Sequence, residues 1–536
     1  EAIAVRMFAE RHHHNLEIAA GPGAPSERLR RFFVENHRLS VETLTADRKV
    51  HDMVEVAMTQ QWPAIQTHLA QMADVVAQGV RFFEVSFDGE KILTAQADKW
   101  TIQPLRPMPP KGAPAPPPPA TPPAALKTEA LQVPSDPRAE WMEMYRDAWR
   151  IQREFFYDPN LHGVNVADYS KKYEKYAAAA MSRRDLNYVF ADMMGELTVG
   201  HLFVAGGDLP EVKTIPTGLL GCDYNIENGR YRFARIYDGE NWNAGVVAPL
   251  TQPGVNVQVG DYLLAVNGRD VVPGGEIYRF FEGTAGKQTV LRVGPNPNNE
   301  GSREVVVTPI PSEARLRNLD WVEGNRRKVD RLTNGRVAYV YMPDTANGGL
   351  ANFTRYFYAQ VGKEAAIIDE RFNGGGMLAT DIIEVLNRKR MSAVATRDGA
   401  DEVQPQGAIF GPKVMLINEY AGSGGDAMPN YFRRANTGKL IGKRTWGGLV
   451  GRAGAPQLLD GGFVSSPSSG VWGPNSQWDT ENIGVPPDIE VENDPELVRQ
   501  GKDPQLEKAV ETVMAELARS PVAQPKRPPY PNYHRN

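Results

Sequence analysis

The sequence predicts a multidomain α/β protein, in which a helical domain and a β domain precede an α/β domain built on a sheet. Three observations predict it. A chain of 536 residues is longer than one hydrophobic core organises, so three or four domains are expected. The proline-rich run from Pro107 to Pro123, PMPPKGAPAPPPPATPP, is an extended, semi-rigid spacer and marks a domain boundary. From Val337 onward, short apolar runs alternate with helical patterns, as they do where helices pack on a sheet.

Composition removes several functions. A net charge of -5 over this length argues against a general nucleic-acid binder. The single cysteine, Cys222, rules out an intramolecular disulfide and a cysteine-based zinc site. No run of eighteen apolar residues encodes a membrane span. The first residue is Glu, which is expected of a processed or truncated product and leaves an upstream signal peptide and the compartment open.

Residues 1–80 are uncertain and partly helical, with helical patterns over 26–37 and over 54–78, where Val54, Met58, Trp62 and Ile65 are spaced for one face. His12, His13 and His14 read as a solvated or tag-like run rather than a metal site. Residues 81–105 alternate around Asp88-Gly89 and Ala97-Asp98 as a β hairpin that resembles one blade of a TolB-like propeller. The linker takes 106–128. A helical domain over 129–212 follows, with helices expected at 141–156, 168–181 and 185–197 and a short strand from Thr198 to Val204 that carries His201.

Residues 213–312 form a β unit. TGLLGC, Thr217 to Cys222, is a glycine-flanked turn running into a strand; VGDYLLAVNGRDV, Val259 to Val271, is a strand with an Asn-Gly turn. With Ala244-Gly245 and the strand Thr289 to Val293, these resemble a PDZ domain. That resemblance implies that Gly218, Leu219, Leu220 and Gly221 form a loop holding a peptide carboxylate on backbone N–H groups. The alternative is that the domain is only a spacer.

The α/β domain takes residues 313–495, ahead of a C-terminal helix and tail over 496–536. Its strands at 337–344 and 365–369 and its helices at 350–360 and 377–388 surround one stretch, KVMLINEYAGSGGD, Lys413 to Asp426. There a buried strand breaks into a glycine-rich turn carrying Ser423 and then into a helix from Asp426 to Arg434. A serine at the positive end of a helix dipole sits where an oxyanion is stabilised, which points to a nucleophile. Alone, such a serine is more often a structural turn or N-cap residue than a nucleophile, and Ala421 breaks the G-x-S-x-G pattern. The run Asn373-Gly374-Gly375-Gly376 offers backbone N–H groups for an oxyanion hole; no G-x-x-x-x-G-K-[ST] exists to make a phosphate cradle.

A nucleophilic serine needs a base. After the linker the histidines are His162, His201 and His534, the last near a proline-rich end. His162 lies in a polar loop and His201 beside apolar residues that hold a base more rigidly, so His201 is preferred. Glu481, in WDTENIGVPPD, shows nothing locally to distinguish it from a solvated carboxylate.

The ordered motifs DPRAEWMEMYRDAWRIQREFFYDPNLHGV, GELTVGH, the PDZ-like unit, RFNGGG, NEYAGSGGD, IGKRTWGG and TENIGVPPD closely resemble the tricorn branch of the S41 serine peptidases over roughly residues 135 to 500. The resemblance implies an α/β core of the ClpP/crotonase-like type. It implies Ser423 as nucleophile, His201 as base and Glu481 as the third member, with backbone N–H groups of Gly424 and of Gly375 or Gly376 as the oxyanion hole. It implies peptide substrates, oligopeptide trimming, no metal or organic cofactor, a hexamer-type homo-oligomer and a cytoplasmic location, with a periplasmic or secreted one still open. Related C-terminal processing peptidases use a lysine in TFGK; here Gly448 stands there, leaving Lys443 as the fallback base. Archaeal tricorn has a serine before the histidine, where this chain has Gly200. The competing reading is therefore a catalytically impaired PDZ protein that binds peptides. Pocket residues are expected from loops such as Met391 to Val403.

Overall fold

The computed structural model describes residues 80–85, 91–96, 99–104 and 125–534, apart from 133, 453 and 524. The histidine run, the N-terminal helical patterns and the proline linker lie outside the described residues. Contacts divide the chain into two units, Glu1–Ser135 and Asp136–Asn536. In the first, β1 (Val80–Val85), β2 (Lys91–Gln96) and β3 (Lys99–Pro104) form an antiparallel meander. The expected hairpin is thus three strands, where a propeller blade has four.

The second unit opens with three helices, α1 (Pro137–Phe155), α2 (Val166–Ala179) and α3 (Arg183–Gly195). Each begins at a side-chain cap: Asp136, Asn165 and Ser182 accept backbone N–H groups of the first turn. Their buried faces, among them Met144, Tyr145, Ala148 and Trp149 of α1, share one core with Leu458 and Val464 from far along the chain. The strand expected at 198–204 is not formed. Thr198 and His201 have φ of +52° and +60°, which breaks an extended path, and only β4 (Val204–Ala205) remains.

Next, β5 (Cys222–Glu227), β6 (Arg230–Ile236), β7 (Tyr262–Val266), β8 (Arg269–Asp270), β9 (Thr289–Gly294) and β10 (Arg303–Val307) make an antiparallel sheet in the order β10-β9-β7-β6-β5, with β8 paired to β7. Its core holds Phe233, Leu263, Val266, Leu291 and Val293. A 19-residue helix, α4 (Ala314–Leu332), follows. The sequence reading did not foresee it, because arginines and acids outnumber the sparse apolar contacts Leu316, Val322 and Val329.

The last domain alternates β11 (Val337–Tyr341), α5 (Asn347–Tyr358), β12 (Ala365–Asp369) and α6 (Ala379–Leu386). The hairpin β13 (Ser392–Val394) and β14 (Glu402–Gln404) precedes β15 (Lys413–Ile417), α7 (Gly424–Arg434) and β16 (Gly438–Gly442). Then come β17 (Gly451–Arg452), β18 (Phe463–Val464), β19 (Pro467–Ser469), β20 (Ile489–Glu490), α8 (Pro495–Arg499) and α9 (Pro504–Arg519). The main sheet is parallel, in the order β11-β12-β15-β16-β20. Every residue of β11, β12 and β15 is buried, as expected of parallel strands covered on both faces.

Two long-range links position the site. β4 pairs with β18, and Arg183, the first residue of α3, donates to Asp460 at 2.5 Å, so α3 and the segment after it are fastened to the loop around residue 460 of the last domain. Arg371, at the end of β12, binds both Asp369 (2.6 and 2.9 Å) and Asp503 (3.0 Å) while almost wholly buried. Replacing it with Met is expected to leave two carboxylates uncompensated and to cost about 3–5 kcal/mol, read as a fall in the urea midpoint.

Candidate active site

Ser423 stands between β15 and α7 with φ +59° and ψ -116°, a conformation most residues avoid. The fold holds it there through main-chain bonds. Its N–H donates to Gly448 O (3.0 Å) and to Asp426 Oδ2 (2.9 Å), and its C=O accepts from Asp426 and Ala427. Asp426 is fully buried and is the hub of the turn. Its Oδ1 accepts from Thr445 Oγ1 (2.5 Å) and Gly447 N (2.8 Å), and its Oδ2 also accepts from Gly448 N (3.0 Å). Burial pushes its pKa up, and these hydrogen bonds hold it back. Sequence reasoning assigned Asp426 no role in the site, although an acid three residues after a serine at a helix start is a readable capping signal.

The NGGG run lies against the serine. A Cβ on Gly375 would come within 2.7 Å of Ser423 Cβ and 3.0 Å of its Oγ, so only glycine fits. A Cβ on Gly424 would fall 2.7 Å from Gly376 N and onto Thr345 Oγ1. The N–H of Gly375 is spent on Asn373 Oδ1 (2.9 Å). Among the described residues, the N–H groups of Gly376 and Gly424 meet no acceptor.

His201 approaches from the helical domain. Its C=O accepts Ser465 Oγ (2.6 Å), and its ring lies against Phe203 and Trp446, with centroids 5.7 and 5.8 Å away. Burial lowers its pKa, Arg452 adds to this, and Glu481 and Asp426 oppose it. Its Nδ1 is buried without a partner. No hydrogen bond joins His201 to Ser423 or Glu481 in the described structure. The Glu481 carboxylate instead accepts Gly200 N (2.6 Å) at Oε1 and Leu449 N (2.5 Å) and Val450 N (3.0 Å) at Oε2. It thereby ties the loop of His201 to the segment whose Gly448 bonds Ser423. A Cβ on Gly200 would meet Gly448 Cα at 3.1 Å and Glu481 Oε1 at 3.2 Å, so this junction is tight.

The competing bases fare differently. Lys443 is pinned by Glu490 (2.8 Å) and Glu492 (2.9 Å), which raise its pKa, whereas a lysine base needs a lowered one. Both ring nitrogens of His162 are engaged, with Tyr157 Oη (2.6 Å) and Leu197 O (3.1 Å), so it is a structural histidine. The structure also adds Glu370, which sequence reasoning passed over. It is fully buried, and its pKa is pushed well up by burial and by Asp426 and Asp369. The loop Gly218 to Gly221 lies in the β domain, at the start of β5, and is no part of this constellation.

A parallel sheet with a serine at its strand-to-helix elbow, preceded by an inserted PDZ-type sheet, is the architecture of a PDZ-bearing serine peptidase. Family profiles agree: the Tricorn protease C1 domain matches residues 137–195, the Tricorn protease PDZ domain 218–312, and Peptidase family S41 336–491. The chain belongs to the tricorn branch of the S41 serine peptidase family. A further profile, the Tetracyclin repressor-like C-terminal domain, matches 25–81, almost wholly outside the described residues. The chain is 31% identical over 448 residues to the tricorn protease of Thermoplasma volcanium, covering 83% of this chain and 42% of that one. It is 31% identical over 446 residues to tricorn protease homolog 1 of Streptomyces coelicolor, covering 83% and 41%. A crystal structure of the tricorn protease superposes with a TM-score of 0.73 at 29% identity, covering 82% of this chain and 42% of that chain. The chain thus spans less than half the length of these relatives.

Proposed function

We propose that this chain hydrolyses peptide bonds by acyl transfer. Ser423 Oγ attacks the substrate carbonyl carbon while the His201 imidazole takes its proton, then gives it to the departing amine; water, activated the same way, releases the acyl group. Gly424 N–H and Gly376 N–H receive the oxyanion. Glu481 acts through the main chain and by its charge, holding the His201 loop in place and favouring the imidazolium. The observation that carries this reading is Ser423, held at positive φ at the N-cap of α7 beside those two unspent N–H groups.

A second reading, a catalytically impaired PDZ protein, is favoured by one observation, the unpartnered Nδ1 of His201. A serine-directed fluorophosphonate separates the two. The first expects labelling of wild type and none of Ser423→Ala; absence of labelling in folded wild type supports the second. On family resemblance alone we further infer oligopeptide trimming, a hexamer-type assembly, a cytoplasmic location and a propeller-type origin for β1–β3. No described helix is long and apolar enough to cross a membrane.

A further inference from the structure

Three of the four N–H groups of the glycine loop, those of Gly218, Leu219 and Gly221, are already spent within the protein. Gly218 N–H donates to Phe281 O (2.9 Å), and Leu219 N–H donates to Ile310 O (2.8 Å), which is bridged in return from Ile310 N to Leu219 O (2.9 Å). Gly221 N–H donates to the side chain of Glu313, at 2.7 Å from Oε1. Glu313 is buried and stands immediately before α4. Its other oxygen is gripped by Arg317, at 2.9 Å from Nε and 2.7 Å from Nη2. Arg317 also reaches Asp223 on β5 and Tyr237 Oη, each at 2.8 Å.

A carboxylate held by a main-chain N–H of a glycine turn and a two-pronged guanidinium is the recognition a peptide's terminal carboxylate would require. The location fits as well. β5 is the edge strand of its sheet, and a cavity of ≈ 390 Å³ runs beside it, lined by Cys222, Tyr224, Tyr231, Ile277 and Tyr278. The cavity's lining begins at Cys222, next in the chain to the Gly221 whose N–H Glu313 takes.

We propose that Glu313 is an internal occupant of this carboxylate site, so that the groove beside β5 does not select peptides by a free C-terminus while Glu313 is seated. The same contact fastens the loop to α4, which packs on β11 of the peptidase sheet. A peptide carboxylate and Glu313 exclude one another, because both need Gly221 N–H and Arg317. Removing the Glu313 side chain empties a site whose donors remain in place, and a small carboxylate in solution is then a sufficient ligand.

The test is independent of catalysis, and is run in full-length Ser423→Ala so that peptides survive. Fluorescent hydrophobic hexapeptides ending in a free acid or an amide are titrated by polarisation, with and without Glu313→Ala. With Glu313 present, acid and amide are expected to bind within about twofold; with Glu313→Ala, the acid is expected to bind about tenfold tighter, the worth of one charge-assisted contact. Sodium acetate, against sodium chloride at equal ionic strength, is expected to raise the Tm of Glu313→Ala and not that of the protein retaining Glu313. A tenfold acid preference with Glu313 intact overturns the proposal. So does a folded Glu313→Ala protein that responds to neither the acid terminus nor acetate. Where neither peptide binds, the acetate arm decides alone. If Glu313→Ala does not fold, its refolding yield in acetate against chloride is read instead, and no recovery overturns the idea.

Discussion

Ser423→Ala is expected to lower kcat/KM on an oligopeptide by roughly 10⁵-fold, with thermal stability almost unchanged. The size follows from the reaction: without Oγ no acyl-enzyme forms, and only the oxyanion donors and substrate binding continue to assist water. The small effect on stability follows from the turn. Ser423 is fixed by its own N–H and C=O and by the four-bonded Asp426 carboxylate, none of which needs the hydroxyl. A drop of less than about tenfold in a steady-state peptide assay would remove Ser423 as the nucleophile.

The second large effect is at His201. His201→Ala is expected to cost roughly 10⁴-fold in kcat/KM, because the serine loses the base that takes its proton. The wild-type pH profile tests the same group without a mutation. A base must be neutral, and burial lowers the pKa of His201, so the acid limb of kcat/KM is expected below the ordinary histidine value of about 6.5, with activity rising as pH rises through it. Trp446→Ala opens the face of the ring to water and is expected to move that limb upward, toward the ordinary value. The same depression has a stability consequence of known sign. Between the lowered folded pKa and the ordinary unfolded one, the unfolded chain binds the proton more readily, so this histidine's contribution to stability falls as pH falls through that window. An acid limb above about 6.5 in wild type would contradict a half-buried imidazole whose pKa is lowered by desolvation.

Much of the architecture was legible in the chain itself. β12 was expected at Ala365 to Asp369 and is found there, and the strand leading to Ser423 begins one residue earlier than its apolar run. These strands are buried on both faces, so their hydrophobicity alone declares them. Helix α4 was not legible, because a helix that rests on neighbouring domains with few apolar contacts looks like a solvated charged stretch. His201 was selected by elimination and by resemblance, and the strand that was to hold it does not exist. Tertiary contacts hold it instead: Ser465 on its carbonyl and two aromatic rings on its imidazole.

What the sequence determined by itself is therefore local: an apolar strand ending in YAGSGGD makes a turn with a serine at a helix start, and glycines at 375, 376 and 424 leave space around it. What only the tertiary structure decided is how distant charges are spent. Glu481 holds main-chain N–H groups rather than the imidazole, Asp426 locks the serine's turn, Lys443 is neutralised by two glutamates, and Glu313 fills the loop expected to hold peptide ends. The physical reason is that a carboxylate's role is set by which donors lie within about 3 Å of its oxygens, and those donors come from segments far apart in the chain.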